Sequence, residues 1–148
     1  MRNSWIPDKD WNLIVRSVPI VSIDLIVEYD GGVVLGRRAN EPAKGSWFVP
    51  GGRVHKGETF EEAVDRVAES ELGVDVRIER CLGTYQHFYD TAAVADTDKH
   101  YIATGFVVSV QDDGFDTDDQ HETVQTFHSI PDGTHEYTRT YLTEAEII

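Results

Sequence analysis

The chain has 148 residues, a length that suits one compact domain with a sizeable core. Its 27 acidic and 13 basic residues give a formal net charge of −14, which disfavours nonspecific nucleic-acid binding because like charges repel. The single cysteine, Cys81, excludes an intrachain disulfide, and its apolar surroundings predict a place in the core. We therefore expect one domain over residues 1–148 and no nucleic-acid partner.

The chain shows no pattern typical of a signal peptide or a membrane span. Its most apolar run, Pro19 to Val27, is short and is interrupted by Ser22 and Asp24. We therefore expect a cytoplasmic protein with no membrane partner. Arginine outnumbers lysine within the acidic excess, a pattern that fits equally a halophile protein from a high-salt cytoplasm and an ordinary acidic cytosolic protein.

The hydrophobic periodicity and the turn signals predict many strands with a helix inserted midway. In chain order, the predicted elements are a short helix or arm at 8–16, strands at 20–29 and 33–38 around the hairpin signal Asp30-Gly31-Gly32, a short strand at 47–49 stopped by Pro50, Gly51 and Gly52, a helix at 60–72, strands at 76–83, 84–89, 101–110 and 123–129, and a terminal helix at 141–148. This order indicates the α+β class, with a mixed sheet on which helices pack.

The stretch from Gly51 to Val74 combines a glycine turn with a capped amphipathic helix. Thr59 and Glu62 have the spacing of a capping box, and the residue after the helix is Gly73, which can turn left-handed. The predicted apolar stripe consists of Phe60, Ala63, Val64, Val67, Ala68 and Leu72. Glu71 is predicted near the middle of that stripe, where a carboxylate needs a metal ion or an arginine as its partner.

This stretch resembles the Nudix box, G-x5-E-x7-R-E-U-x-E-E-x-G-U with U a bulky aliphatic residue, which marks hydrolases of nucleoside diphosphate derivatives. The matching residues are Gly52, Glu58, Arg66, Glu71, Gly73 and Val74. Val67 and Ser70 depart from the pattern, because the family has glutamates there that bind its catalytic magnesium cluster. These departures argue against ordinary attack at phosphorus.

Four further runs, VRSVPIVSIDLIVE, RRANEPAKGSWFVPGGRV, YQHFYD and DDQHE, are similar to the GDP-mannose mannosyl hydrolase branch of the Nudix superfamily. The likeness extends from about Arg16 to Tyr141, and that branch also lacks the two glutamates. It implies the Nudix fold, an α/β/α sandwich in which helices cover both faces of a mixed sheet. It also implies a homodimer that binds a nucleotide-sugar substrate.

The resemblance implies magnesium-dependent hydrolysis of GDP-mannose or GDP-glucose to GDP and free sugar, in which water attacks the anomeric carbon. Mg²⁺, or alternatively Mn²⁺, would be bound by the Gly51 carbonyl, Glu71 and Gln120, since oxygen ligands suit hard cations. His121 would be the general base, because imidazole titrates near neutral pH. The implied substrate contacts are Arg38, Arg53 and Arg66 to the diphosphate, with Asp24, His87 and Tyr101 binding or orienting the substrate.

Other readings of the same residues stay open at this point. The enzyme alternative is a Nudix pyrophosphohydrolase that attacks phosphorus, and the non-enzymatic alternative is a nucleotide-sugar sensor with the same fold. Among the individual residues, Arg66 could pair with Glu62 on an exposed helix face. His121 could be a solvated histidine in an acidic loop.

Overall fold

The computed structural model describes residues 5–39, 44–90, 98–111, 115 and 124–148. Three helices and seven strands are found in this part of the chain. In order they are α1 Asp8–Ser17, β1 Ile20–Tyr29, β2 Gly32–Arg37, β3 Trp47–Phe48, β4 Gly51–Arg53, α2 Phe60–Leu72, β5 Val76–Tyr89, β6 Lys99–Val110, β7 Val124–Phe127 and α3 Glu136–Ala145. Among these described residues, no helix is long and apolar enough to cross a membrane.

The strands form one mixed sheet with the order β3-β2-β1-β6-β5. The central pair, β1 and β6, is parallel over nine registered residues, from Ile20 opposite Tyr101 to Glu28 opposite Ser109. All the other pairs are antiparallel, including β4 against β1 and β7 against β2. The Asp30-Gly31 turn between β1 and β2 has positive φ at both residues, 52° and 75°, as a two-residue hairpin requires.

Helices cover both faces of the sheet, which confirms the predicted α/β/α sandwich. Successive side chains of β1 point to opposite faces. Leu25 and Val27 pack with the buried residues of α2 in one core cluster. Ile26 packs with Tyr141 and Leu142 of α3 in another. Strand β1 is therefore buried on both faces, which explains its nearly continuous apolar sequence.

Helix α2 begins and ends as the sequence predicts. The Thr59 hydroxyl accepts from the Glu62 N–H at 3.1 Å, and the Glu62 carboxylate accepts from the Thr59 N–H at 2.8 Å. Gly73 follows the helix with φ of 67°. Of the predicted stripe, Ala63, Val64, Val67 and Ala68 are buried. Phe60 is instead 46% exposed, although its ring contacts Phe106.

Several predicted boundaries were wrong. The Gly51-Gly52 segment does not only stop a strand, because Gly51–Arg53 itself pairs with β1. The two strands predicted at 76–83 and 84–89 form one continuous strand. The predicted bend corresponds to register shifts in this strand, one of which ends at Gly83 with φ of 131°. Cys81 is exposed rather than in the core, because β5 lies at the sheet edge. Helix α3 begins at Glu136, five residues before the predicted start.

The capping box generates a stability prediction. Replacing Thr59 by alanine removes the acceptor for the Glu62 N–H, so the free energy of unfolding should fall by about 1 kcal/mol. Urea denaturation followed by circular dichroism measures this change. Ser70→Ala is the matched control, because Ser70 is an exposed residue of the same helix and alanine has the higher helix propensity. Equal midpoints for Thr59→Ala and the wild type would contradict the prediction.

Candidate active site

A cavity of about 480 Å³ opens where β1, β4, β5 and β6 meet helix α3. Six of the residues predicted to bind substrate or metal or to act in catalysis line it: Asp24, Arg38, Gly51, Arg53, His87 and Tyr101. Arg66 and Glu71 do not belong to this lining. Gln120 and His121 lie outside the described residues. The structure therefore brings together the residues implied for substrate binding, together with two of the three arginines.

Asp24 is the carboxylate of this cavity. Its Oδ2 accepts a 2.7 Å hydrogen bond from the Tyr141 hydroxyl, and its side chain keeps 20% of its surface exposed. Burial raises the pKa of Asp24 to about 6, and the Tyr141 hydrogen bond opposes that rise. At neutral pH the side chain is therefore mainly an ionised acceptor in a partly desolvated place.

His87 lies beside Asp24 but does not form an ion pair with it at neutral pH. Its Nδ1 is 4.0 Å from Asp24 Oδ2, beyond hydrogen-bonding distance. Burial lowers the pKa of His87 to about 4, and the nearby His135 adds to this effect, so the imidazole is neutral at pH 7. The ring stacks on Tyr137, with a centroid distance of 4.1 Å. His87 is therefore a neutral, orientated hydrogen-bonding group of the cavity wall.

Gly51 cannot be replaced by a residue with a side chain without moving the site. A Cβ atom there would lie 2.2 Å from Asp24 Oδ1 and 2.8 Å from the Ile23 carbonyl oxygen. Its role as a glycine is thus to let strand β4 approach the carboxylate on β1. The part that its carbonyl would play as a metal ligand stays a prediction.

Arg66 is held by Glu58 and by the backbone of β4. Its Nε donates to Glu58 Oε2 at 2.7 Å, and its Nη2 donates to Glu58 Oε1 at 3.0 Å and to the Arg53 carbonyl at 2.8 Å. Glu58 Oε1 also accepts from the His55 N–H. Glu62, the other partner considered for Arg66, belongs instead to the capping box. Arg66 thus ties helix α2 to the strand that carries Arg53.

Glu71 is solvent-exposed, so the expectation that its carboxylate is buried within the apolar stripe was wrong. The last turn of α2 rises from the core, since the following Leu72 is also only partly buried. Neighbouring protein atoms partly desolvate the Glu71 carboxylate and raise its pKa, and the positive charge of Arg38 lowers it. An arginine, one of the two partners expected for this carboxylate, is therefore near it.

The few acidic side chains at the box limit the kind of metal site that the chain can form. Among the described residues, no three histidine, cysteine or acidic side chains cluster where they could hold a metal ion. Val67 is a core residue of α2 that is 2% exposed, and Ser70 is exposed and carries no carboxylate. One carboxylate at Glu71 fits a single divalent cation that takes further oxygens from elsewhere. It does not fit a carboxylate-bridged cluster that uses positions 67 and 70.

Aromatic residues of the cavity were missed at the sequence level. Tyr89, Tyr137 and Tyr141 line it, as does Trp11 of helix α1. Tyr89 could have been found, because it lies two residues after His87 on one strand and so faces the same side. The guanidinium carbon of Arg53 lies over the Trp11 ring, 5.6 Å from the ring centroid. Tyr137 and Tyr141 belong to a helix whose start was placed too late.

The family model for the NUDIX domain matches residues 18–145, which is most of the chain. The fold, the box and this match agree, and the protein belongs to the Nudix hydrolase family. Members of this family generally use a divalent metal ion.

Individual relatives extend this result. The chain is 53% identical over 138 residues to the low-salt glycan biosynthesis protein Agl8 of Haloferax volcanii, which covers 93% of this chain and 88% of that protein. It is 37% identical over 92 residues to an ADP-ribose pyrophosphatase of Methanocaldococcus jannaschii, covering 62% and 52% of the two chains. Among solved structures, a MutT Nudix hydrolase from Burkholderia pseudomallei aligns with a TM-score of 0.62 at 27% identity, covering 85% and 97%.

The Glu58–Arg66 pair generates a pH prediction. The Glu58 side chain is 4% exposed, and the Arg66 hydrogen bond lowers its pKa from 4.5 to about 2. A carboxylate whose folded pKa is depressed stabilises the protein above its unfolded pKa and loses that contribution as pH falls. Glu58→Gln should therefore lower the free energy of unfolding by on the order of 2 kcal/mol at pH 7. The difference from wild type should shrink between pH 4.5 and 2.

The measurement is a series of urea titrations from pH 7 downward on both proteins. Glu69→Gln is the control, because Glu69 is an exposed acidic residue of the same helix and should give no comparable difference. A difference in the free energy of unfolding between Glu58→Gln and wild type that stays constant with pH would contradict the prediction.

Proposed function

We propose that this protein is a magnesium-dependent hydrolase of GDP-sugars, GDP-mannose or GDP-glucose, that releases GDP and the free sugar. In the proposed reaction a water oxygen bonds to the anomeric carbon, and the bond from that carbon to the diphosphate oxygen breaks. GDP leaves with the electron pair, and the water proton passes to a general base. This assignment goes beyond family membership and defines one branch of the Nudix hydrolases.

The observation that carries the proposal is the reduced set of acidic side chains at the box. Val67 packs into the core and Ser70 offers a hydroxyl, so neither position supplies a carboxylate to a metal cluster. Attack at phosphorus in this family depends on such a cluster. Attack at carbon instead requires that the departing diphosphate be neutralised, which arginines and one cation can do.

The residues that line the cavity support separate binding sites for the diphosphate and the sugar. Arg38 and Arg53 line it, and forked guanidinium donors match the oxygens of a diphosphate. Asp24, His87 and Tyr101 line the same cavity with the hydrogen-bonding groups that a sugar requires. Arg66 acts in this proposal through its bond to the Arg53 carbonyl as well as by its charge.

The remaining roles rest on the sequence. Glu71, the Gly51 carbonyl and Gln120 would hold Mg²⁺, or alternatively Mn²⁺, which when bound would neutralise charge on the diphosphate. His121 would be the general base for the water. We also propose a single domain over residues 1–148, a homodimer and a cytoplasmic location.

The relatives bear on the choice of substrate. The name of the Haloferax volcanii protein places that protein in glycan biosynthesis, where nucleotide sugars are the natural kind of substrate. The ADP-ribose pyrophosphatase of Methanocaldococcus jannaschii favours the second candidate, a pyrophosphohydrolase that attacks phosphorus. That candidate has to work without carboxylates at 67 and 70. A nucleotide-sugar sensor that binds without turnover is a third candidate.

Hydrolysis in heavy-oxygen water distinguishes the two enzymatic candidates. With GDP-mannose and Mg²⁺, we expect mass spectrometry to find the label in mannose and none in GDP, because water attacks carbon. Release of mannose phosphate and GMP, with label on phosphorus, would reject carbon attack. Tight binding by calorimetry without any product would favour the sensor. ADP-ribose is the control substrate, and it should be turned over poorly.

The proposed base has its own test. His121→Gln should lower kcat by about 10²- to 10⁴-fold with little change in KM, because general base catalysis acts in the transition state. His128→Gln is the matched control, since His128 is exposed and its ring bonds to the Asp30 carbonyl near the β1–β2 hairpin. A His121→Gln enzyme with near-normal kcat would remove the histidine from this role.

A further inference from the structure

Asp24 has the only side chain in a row of residues that crosses four strands. Its register partner on β4 is Gly51, and its partner on β6 is Gly105. Gly105 in turn is paired with Gly83 on β5. The row therefore consists of three glycines and one carboxylate, so no neighbouring residue in the row places a side chain beside Asp24.

Tyr141 of helix α3 fills the space beside Asp24 on one side. A Cβ atom on Gly105 would lie 2.5 Å from Cε1 of the Tyr141 ring, so the ring occupies the volume that a side chain would take. Tyr141 is 1% exposed, and the rings of Tyr85 and His87 meet it edge-on. Its hydroxyl is thereby fixed where it donates to Asp24 Oδ2.

The other side of Asp24 is bounded by backbone. Oδ1 lies so near Gly51 that a Cβ atom there would be 2.2 Å away. The carboxylate is thus held between a donor on one oxygen and a bare strand beside the other, while 20% of the side chain stays exposed. An ionised carboxylate only accepts hydrogen bonds, and one donor leaves most of its lone pairs open.

We infer that Tyr141 is a positioning residue, which orientates the Asp24 carboxylate to accept hydrogen bonds from the hydroxyl groups of a sugar in the cavity. The carboxylate repels phosphate, so the diphosphate of a ligand belongs near Arg38 and Arg53, and the uncharged hydroxylated part belongs near Asp24. This inference rests on the proposed function for the identity of the ligand, and it assigns to Tyr141 a task that neither packing nor fold alone requires.

The test compares two probes that differ only in the sugar. Calorimetry in EDTA, which stops metal-dependent turnover, gives the Kd of GDP-mannose and of GDP for each variant. Tyr141→Phe should raise the Kd of GDP-mannose about tenfold and change the Kd of GDP by less than about twofold, as expected for loss of a hydrogen bond to a charged group. Asp24→Ala should do the same. The double variant should be no weaker than Asp24→Ala, because Tyr141 acts through Asp24.

Two further variants control for packing. Tyr85→Phe removes a hydroxyl from a ring that touches Tyr141 at a 5.1 Å centroid distance but does not line the cavity, so both Kd values should stay unchanged. Gly105→Ala keeps the Tyr141 hydroxyl and displaces its ring, so it should reproduce the selective loss of GDP-mannose affinity. It decides the question if Tyr141→Phe fails to fold in a thermal melt.

Each outcome is decisive. Equal weakening of both probes, unchanged affinity, or effects of Tyr141→Phe and Asp24→Ala that simply add would overturn the positioning role. The proposed function is judged separately, by the site of the heavy-oxygen label in the products of the wild-type protein. Label on phosphorus would reject the proposed reaction. If Tyr141→Phe still lowered the affinity for GDP-mannose selectively, and not additively with Asp24→Ala, the positioning role of Tyr141 would stand.

Discussion

The close approach of strand β4 to Asp24 on strand β1 is the constraint on which the candidate site depends. Gly51 is registered with Asp24, and no side chain fits between the Gly51 backbone and the carboxylate. This pairing places Arg53, two residues along β4, at the edge of the same cavity. A carboxylate and a guanidinium that are far apart in sequence therefore share one cavity because a glycine allows two backbones to meet. The glycine turn of the box is thus a structural device in this chain as well as part of a signature.

Helix α2 supports that strand from the opposite face of the sheet. Arg66 connects the helix to the Arg53 carbonyl and to Glu58, whose side chain is 4% exposed and itself accepts from the His55 N–H. The pair is more than a surface ion pair, because two donors of one guanidinium reach one carboxylate and a third bond fixes backbone. Strand β4 is short, and these bonds hold it where the ladder with β1 ends. The box helix therefore determines the position of Arg53 without entering the cavity.

The sequence predicted strand β1, the turn after it and the start of helix α2 well because their signals are local. Apolar runs, a two-residue turn and a capping box each act within a few residues, and β1 was placed at its observed bounds. Asp24 could be noticed because it interrupts an apolar strand. The Tyr141–Asp24 bond could not, since its partners are 117 residues apart and meet where α3 packs on the sheet. The burial of Glu71 was predicted wrongly for a related reason: helical periodicity gives an angle around the axis but not how far the last turn stands from the core.

The location of Val67 explains why the box helix contributes to packing, whereas the polar groups of the cavity lie on the other face of the sheet. Val67 faces the sheet and lies 3.2 Å from where a Gly52 Cβ would be, so it fills the contact between α2 and β4. A carboxylate in that contact would be desolvated and would require a cation to remain charged. With valine there, this contact is ordinary core packing, and no described lining residue of the cavity belongs to α2. The hydrogen-bonding groups gather instead on the α3 side of the sheet, around Asp24 and His87. The described lining residues include two cations, Arg38 and Arg53, which in the proposed reaction would neutralise the departing diphosphate where position 67 offers no carboxylate to a metal.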